Sequence, residues 1–310
     1  MPAEAIHLTS LREGLACASL PTAVRRSLAR AEPTARLGAL FPDLPYFAAF
    51  GRELARYVVG LPPRPSPWGA RTHDDPVPVL CAFVARANRR RGEDADVSVE
   101  DARAFAVGLA SHLAIDRAMH PLVNWLADRD VRERGGLHAA AHREVEKFHS
   151  ICFHEAYLGD DMMGTRTLRG YLFVAGIDRL ARSPVAEMAR RAFADVHDGA
   201  PSARELSAWG RSYVHYTHVL ASPLGARVAP PAAKEAARPR YQRGEWGTFE
   251  GELDRAITRS AAVLGRVAEL VEGHGRDQTA DEVGRALDGL LGGGTIDPPG
   301  SAFRPAAPSA

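Results

Sequence analysis

The chain has 310 residues, of which 45% are hydrophobic and 25% charged, a composition typical of a soluble globular protein. Its 39 basic and 38 acidic residues give a formal net charge of +1, so overall charge gives no support for sequence-independent nucleic-acid binding. No stretch approaches about eighteen uncharged apolar residues, and acidic Glu4 and Glu13 lie near the start without a basic segment before an apolar run. We therefore expect no membrane span, no secretory signal and a cytoplasmic location.

Helical patterns dominate the chain from its first residues onward. Apolar residues spaced three and four apart predict helices over 4–20, 22–31, 47–60, 77–91, 99–127, 137–158, 164–182, 184–196, 202–221, 243–273 and 279–291. Prolines predict a turn at 38–47 and a loop at 61–76. Period-2 strand patterns are nearly absent, so the predicted fold class is all-α. We predict one multi-helix domain over 1–291, and a disordered Gly/Pro/Ala tail over 292–310.

The predicted helix over 99–127 is expected to lie at the centre of the fold. Its segment AFAVGLASHLAI carries no charge before Asp116, so most of its faces are apolar. Ser98, with Asp101 three residues later, provides a helix N-cap.

Two of these helices carry residues that can ligate a metal. His112, Asp116 and His120 follow one another at intervals of four, and His142 and Glu146 repeat the interval on the next helix. Residues four apart share one face of a helix. Imidazole and carboxylate groups are the ligands that zinc prefers, and they are costly to bury without an ion. The spacing therefore predicts a polynuclear metal site between the two helices.

Other interpretations of these residues remain open. His112 and Asp116 would form a buried ion pair if no metal were present. His138 lies four residues before His142 and competes with it as a ligand. His149, one turn after Glu146, would either support the ligands or be exposed.

Three further potential ligands lie in the first third of the chain. His7 lies on the first predicted helix, Asp43 follows a proline in the turn, and His73 lies in the Pro-rich loop, where Asp74 and Asp75 compete with it. In order, the complete set is His7, Asp43, His73, His112, Asp116, His120, His142 and Glu146.

This ordered set resembles the zinc-dependent phospholipase C family, whose relatives include secreted single-strand nucleases of the mung-bean type. The resemblance covers about residues 1–160. It implies an all-helical fold of the phospholipase C/nuclease type, with the metal site between the central helices, and a set of ligands for two or three zinc ions. The HPLVNW segment (120–125) is most similar to intracellular bacterial members of the family.

The resemblance also assigns roles to the ligands. One zinc ion would be held by Asp43, His73, His112 and Asp116, and a second by His120, His142 and Glu146, whereas His7 would bind a third that Asp116 bridges to the first. In this scheme a metal-bridging hydroxide attacks the phosphate. Asp116 and Asp43 are the predicted catalytic residues, the first as the bridge and the second as a ligand with a share in proton handling.

The chain departs from secreted family members at three places. Those enzymes complete the third site with a processed N-terminal Trp, whereas removal of Met1 here would leave the amine of Pro2 as a hypothetical ligand. Leu44 and Ala70 stand where phosphatidylcholine-preferring members carry aromatic residues, so a choline pocket is not expected. His120 follows Asp116 more closely than in the secreted enzymes, but an interval of four keeps both on one helix face.

The predicted function is zinc-dependent hydrolysis of a phosphate ester, most specifically a phosphodiester, carried by a small molecule or a lipid head group. The alternatives are a metal-stabilised protein without catalysis and a zinc enzyme of small-molecule biosynthesis. Nothing in the sequence specifies an oligomeric state. In the C-terminal half, RSYVHYTHVL (211–220) predicts either a core helix or a wall of the substrate pocket, and the Arg-rich run at 236–244 predicts a solvated surface.

Overall fold

The computed structural model describes residues 3–59, 61, 66–89, 92–244, 247–273 and 277–291. Within these ranges the chain is built from α-helices, with one short antiparallel ribbon of two residues per strand. The all-α prediction is confirmed. None of the helices in these ranges is long and apolar enough to cross a lipid bilayer.

The described part of the chain contains fifteen α-helices. They are α1 (Ala3–Cys17), α2 (Thr22–Arg30), α3 (Glu32–Leu40), α4 (Phe50–Val58), α5 (Pro67–Asp74), α6 (Pro76–Arg89), α7 (Val99–Arg134), α8 (His138–Leu158), α9 (Arg166–Leu172), α10 (Pro184–Val196), α11 (Ala203–Leu220), α12 (Pro223–Ala226), α13 (Pro231–Ala237), α14 (Phe249–Glu272) and α15 (Ala280–Leu287). Shorter elements are 3-10 helices at Phe41–Phe47, Gly92–Asp94 and Ile177–Arg182, a π-helical turn at Arg238–Gln242, and strands β1 (Arg243–Gly244) and β2 (Gly247–Thr248).

Helix α7 is the centre of the molecule, as the sequence predicts. It packs against α1, α2, α3, α6, α8 and α14, which explains why its first half is buried on nearly every face. The side chain of Ser98 caps its start by accepting a hydrogen bond from the Asp101 backbone N–H at 2.9 Å. The helix ends at Gly135, whose φ of 74° is unfavourable for other residues. It extends to Arg134, about two turns beyond the predicted end at 127.

Two glycines let α3 and α7 cross at very short range. A Cβ atom on Gly108 would lie 2.0 Å from the Ala35 carbonyl oxygen, and one on Gly38 would lie 2.3 Å from the Phe105 carbonyl oxygen. Only glycine fits at either position without separating the helices. The contact matters for the site because it brings the C-terminal end of α3 against the metal-ligand face of α7.

The predicted turn at 38–47 is wrong in its local structure. Helix α3 continues to Leu40, and a 3-10 helix with Pro42 and Pro45 inside it follows directly. The prolines do not break the chain's helical course here, because Pro42 lies at the start of the 3-10 helix. A proline in the first turn, such as Pro42, loses no hydrogen bond, since the first N–H groups have no partner within the helix, whereas Pro45 lies in the interior of the 3-10 helix.

The predicted loop at 61–76 is also wrong, because it contains helix α5. Ser66 caps this helix by accepting a hydrogen bond from the Gly69 N–H at 3.1 Å, and Pro67 occupies the first helical position. This is the arrangement that favours a helix start. The consequence is that His73 lies on a helix and not on an irregular loop.

The Arg-rich run at 236–244 is only partly the solvated surface that its composition predicts, because Arg238, Pro239 and Arg243 are exposed but some of its other residues are not. Tyr241 and Gln242 are buried. The Tyr241 hydroxyl and Arg240 both donate hydrogen bonds to Asp130, a buried carboxylate near the end of α7. A buried carboxylate requires such partners, so it holds this polar run against the body of the protein.

Buried apolar side chains from Ala5 to Leu291 form one continuous core. The single domain over 1–291 remains a prediction. The tail over 292–310 lies outside the described residues.

Candidate metal centre

The eight predicted ligands come from five separate elements and meet in one region of the structure. Helix α1 provides His7, the 3-10 helix at Phe41–Phe47 provides Asp43, and α5 provides His73. Helix α7 provides His112, Asp116 and His120, and α8 provides His142 and Glu146. Their ligand atoms form three groups, of which the first two share His112, and each has all its atoms within 4.8 Å of one another: His7, His112 and Asp116; Asp43, His73 and His112; and His120, His142 and Glu146.

Asp116 belongs to the first group and also lies close to histidines of the other two. Its Oδ2 atom is 2.9 Å from His112 Nε2 and 3.7 Å from His73 Nε2. Its Oδ1 atom is 3.4 Å from His7 Nε2 and 3.6 Å from His120 Nε2. The two oxygens of this carboxylate therefore face different sets of imidazoles, as expected of a bridging ligand.

Asp43 lies opposite Asp116 and closes the first cluster. Its Oδ1 atom is 3.4 Å from His73 Nε2, and its Oδ2 atom is 3.6 Å from His7 Nε2. The rings of His7 and His112 stack at 3.9 Å between centroids. We define the first cluster as His7, Asp43, His73, His112 and Asp116.

The second cluster consists of His120, His142 and Glu146. Glu146 Oε1 lies 3.3 Å from His142 Nε2 and 3.6 Å from His120 Nε2. The two imidazole rings approach edge to face at 5.1 Å. Because His120 also approaches Asp116, the second cluster is continuous with the first.

Three of the histidines are oriented by hydrogen bonds from their Nδ1 atoms. His112 Nδ1 donates to the Ala39 carbonyl oxygen at 2.8 Å, and His73 Nδ1 donates to the Gly69 carbonyl oxygen at 2.8 Å. His142 Nδ1 lies 2.9 Å from Asn124 Oδ1. Such bonds fix the tautomer and leave the Nε2 lone pair directed toward the cavity, which is the usual arrangement of metal-binding histidines.

The carboxylates and imidazoles of the clusters strongly shift one another's pKa values. Burial opposes protonation of His112, but the charges of Asp116 and Asp43 outweigh burial and raise its pKa to about 9. The pKa of His7 is lowered to about 4, first by burial and then by the charge of His112. Burial would raise the pKa of Asp116, yet His112, His120 and His7 hold it well below its usual range. A metal cation would compensate these buried carboxylates in place of imidazole protons.

The residues present suit zinc. Within the described part of the chain, His7 Nδ1 and His112 Nε2 are buried atoms that form no hydrogen bond, although His112 Nε2 is close to Asp116. Unpaired buried nitrogens are costly, and a cation would satisfy His112 Nε2. The imidazole nitrogens and carboxylate oxygens are the ligand atoms that zinc prefers. Each of the three ligand groups contains three residues, which is the number of protein ligands in a typical catalytic zinc site.

The competing ligands are placed differently. His138 is 46% exposed, and its Nε2 lies 3.4 Å from Asp128, outside the three ligand groups. Asp75 is also outside them, and the side chain of Asp74 lies outside the described part of the structure, as does Pro2. The assignment of His73 and His142 as ligands nevertheless remains a prediction.

Burial decides between the interpretations of two further segments. His149 is 2% exposed, donates a hydrogen bond of 2.8 Å from Nε2 to the Tyr241 backbone carbonyl, and stacks on Phe249, so it is a buried core residue and not an exposed one. Because the carbonyl only accepts, Nε2 carries the proton. Tyr213 and Tyr216 in 211–220 are buried in the core, which favours the core-helix interpretation.

Two residues near the clusters were missed by the sequence analysis. Asn124 lies four residues after His120, so the interval of four that identified the ligands also identifies Asn124. Tyr46 is 49% exposed, and its ring lies 5.5 Å from that of His73. No local sequence signal marks Tyr46, because its position depends on how the 3-10 helix packs on α5.

Comparison with known proteins identifies one family. A family model described as zinc dependent phospholipase C matches residues 6–192, more than half of the chain. No curated protein and no solved structure matches the chain. The matched range includes all eight residues of the two clusters.

Proposed function

Because this chain belongs to the zinc-dependent phospholipase C family, we propose that it is a zinc-dependent hydrolase of phosphate esters, specifically of phosphodiesters. The observation that carries the proposal is the continuity of the two clusters through Asp116, which lies within 3.6 Å of His120 and 2.9 Å of His112. Adjacent divalent ions are the arrangement that in-line displacement at phosphorus uses.

Each cluster would bind its own metal ion. The first cluster would hold one ion through Asp43, His73, His112 and Asp116, with His7 beside Asp116 for a further ion, and the second cluster would hold another. Bound zinc would supply a water of lowered pKa and a Lewis acid for the phosphoryl oxygens. The second cluster offers three protein ligands, which is the number typical of catalytic zinc, whereas a structural site is closed by four. This favours catalysis over a purely structural role.

The chain's own residues would orient the reactants and handle protons. Burial alone would raise the pKa values of Asp116 and Asp43. Neighbouring histidines outweigh burial and lower both pKa values, so the two carboxylates remain ionised. Asp43 is only 16% exposed, so its carboxylate acts in a largely water-excluded setting. As the carboxylate at the edge of the first cluster, Asp43 would accept a proton from the attacking water.

The family supports a phospholipid or another phosphodiester as substrate. The net charge of +1 gives no electrostatic support for a nucleic-acid substrate.

A panel of chromogenic esters tests the proposal. Zinc-loaded protein is assayed with bis(4-nitrophenyl) phosphate and with 4-nitrophenyl phosphate, before and after chelation and zinc readdition. We expect hydrolysis of the diester that chelation abolishes and zinc restores. A zinc-containing protein that hydrolyses neither ester would contradict the proposed function.

A further inference from the structure

Two hydroxyl groups at the ends of α5 contact the backbone of the 3-10 helix that carries Asp43. Thr72 Oγ1 donates to the Pro42 carbonyl oxygen at 2.8 Å, and Ser66 Oγ donates to the Pro45 carbonyl oxygen at 3.1 Å. The two acceptors lie on either side of Asp43 in the chain. The segment that presents Asp43 is therefore held against α5, the helix that presents His73.

Thr72 also contacts the imidazole of His73. Its Oγ1 atom lies 3.1 Å from His73 Nδ1 and 2.7 Å from the Gly69 carbonyl oxygen, which accepts the Nδ1–H of His73 at 2.8 Å. Because Nδ1 carries a proton, the hydroxyl oxygen serves as its second acceptor, and the hydroxyl proton points to the carbonyl groups of Pro42 and Gly69. One side chain thus joins the peptide group between Pro42 and Asp43 to the ring of His73.

The contact between Thr72 and Pro42 is shielded from water. Thr72 is 7% exposed and borders a cavity of about 20 Å³, along which the rings of Phe41, Phe83 and Phe193 lie. Among the described residues that line this cavity, Thr72 is the only one with a polar side chain. A Pro42 carbonyl oxygen deprived of the hydroxyl would find no replacement donor among these side chains, so the loss of the contact would not be compensated locally.

This contact lies behind two of the proposed ligands. Asp43 Oδ1 and His73 Nε2 are 3.4 Å apart, and both residues belong to one ligand group with His112. A zinc site tolerates only small deviations in the distances of its ligands. Since the Gly69 carbonyl already orients the His73 ring, the hydroxyl of Thr72 acts chiefly on the position of Asp43 relative to that ring. Resting on the proposed function, which places zinc in the first cluster, we propose that Thr72 is a positioning residue that holds Asp43 and His73 at the separation that one zinc ion requires.

Paired substitutions separate the hydroxyl group of Thr72 from its methyl group. Thr72→Val keeps the shape of the side chain and removes the hydroxyl, whereas Thr72→Ser keeps the hydroxyl and removes the methyl. We expect Thr72→Val to weaken the zinc affinity of the first cluster about tenfold, the lower end of the usual effect when a group that orients a ligand is lost. Thr72→Ser should retain the native zinc affinity even if the lost methyl lowers the thermal midpoint. Thr72→Ala, which places no methyl against the Pro42 carbonyl, should show the same loss of affinity as Thr72→Val.

Competition with a chromophoric chelator measures the stepwise zinc affinities of the full-length chain. The measurement is repeated in the His142→Ala background, where the zinc that remains reports on the first cluster. Thr217→Val is the matched control, because Thr217 is 6% exposed and its hydroxyl donates at 2.8 Å to the Val214 carbonyl within its own helix. This variant loses a buried hydroxyl of the same kind and should keep the native zinc affinity.

The thermal midpoint of every variant is measured without zinc. A purely structural role for Thr72 would lower this midpoint in Thr72→Val and leave the zinc affinity of the folded protein unchanged. That result, or an equal loss of affinity in Thr72→Ser and Thr72→Val, would overturn the positioning role. Weakened affinity in Thr72→Val and Thr72→Ala, with native affinity in Thr72→Ser and Thr217→Val, would support it.

Zinc binding and turnover are measured separately, so the two proposals can fail separately. If the native protein binds zinc but hydrolyses no diester, the proposed function fails, and the chelator competition still decides the role of Thr72. If the native protein hydrolyses the diester and Thr72→Val keeps the native zinc affinity, the proposed function stands and the role of Thr72 fails. A native protein that binds no zinc would refute both.

Discussion

Asp116 Oδ1 lies 3.6 Å from His120 Nε2, one helical turn further along α7. The other oxygen of the same carboxylate lies 2.9 Å from His112 Nε2, one turn earlier. A single side chain thus connects two groups of potential metal ligands, and α7 holds all three residues in register. Removing its charge is therefore expected to affect both clusters together.

Asp116→Asn is predicted to reduce zinc content by more than one ion per chain and diester hydrolysis by about 10³-fold. Asparagine keeps the shape of the side chain but loses the negative charge that would bridge two cations, and metal activation contributes several kcal/mol to the reaction. Elemental analysis and initial rates provide the measurements. Asp128→Asn, the same change at a 58% exposed position of α7, should alter neither. Full zinc retention in Asp116→Asn would contradict the bridging role.

Asn124→Leu is predicted to weaken zinc binding at the second cluster by about 10- to 100-fold, as is typical when the partner of a ligating histidine is lost. The reason is the 2.9 Å contact between Asn124 Oδ1 and His142 Nδ1, which orients the imidazole. Competition with a chromophoric chelator measures the affinity. Asn124→Asp retains an acceptor oxygen and should restore most of it. Equal losses in both variants would show that Asn124 has no orienting role.

Gly108→Ala is predicted to destabilise the protein by about 3 kcal/mol, although alanine is favoured over glycine inside a helix by about 1 kcal/mol. The added methyl would lie 2.0 Å from the Ala35 carbonyl oxygen and force α3 away from α7. Urea unfolding measures the change. Gly170→Ala is the control, because a Cβ there has no neighbour within 4 Å, and it should be neutral or stabilising. A stabilising Gly108→Ala would refute the close helix crossing.

The protein is predicted to lose stability as pH falls below about 6.5, in part through His154. Burial lowers the pKa of His154 from 6.5 to about 4, so the unfolded chain binds a proton that the folded protein excludes. Stability from this source is complete above pH 6.5 and lost as pH falls toward 4. At pH 5 the loss is about 2 kcal/mol relative to pH 7.5.

His154→Gln tests that effect, because glutamine removes the titrating group and retains polar atoms for Thr9 and the Ser150 carbonyl. Unfolding free energies of both proteins are compared at pH 7.5 and pH 5 at matched zinc concentration. The variant should lose about 2 kcal/mol less over this interval. Parallel pH profiles would contradict a buried neutral His154.

The helical core of the site was predictable because it follows a local rule. His112, Asp116 and His120 share a face through helix periodicity alone, and the structure places them within contact of one another. No local rule predicts that His7 and Asp43 lie close to these residues, because their positions depend on how separate helices pack. Their inclusion rested on the resemblance to a family, and no spacing argument would have provided it.

Other features required tertiary information. The burial of Tyr241 depends on Asp130, which lies far away in sequence and accepts a hydrogen bond from its hydroxyl. In contrast, α5 was predictable in principle, because Ser66 and Pro67 form a standard helix start that was outweighed by the surrounding prolines.

The central claim is that the two clusters hold adjacent zinc ions, and the zinc stoichiometry of the purified full-length chain tests it most directly. Elemental analysis should find two or three zinc ions per chain. His142→Ala, which alters only the second cluster, should lose about one of them and retain the ions of the first. A native protein with no zinc, or with a single ion that His142→Ala leaves in place, would contradict the account.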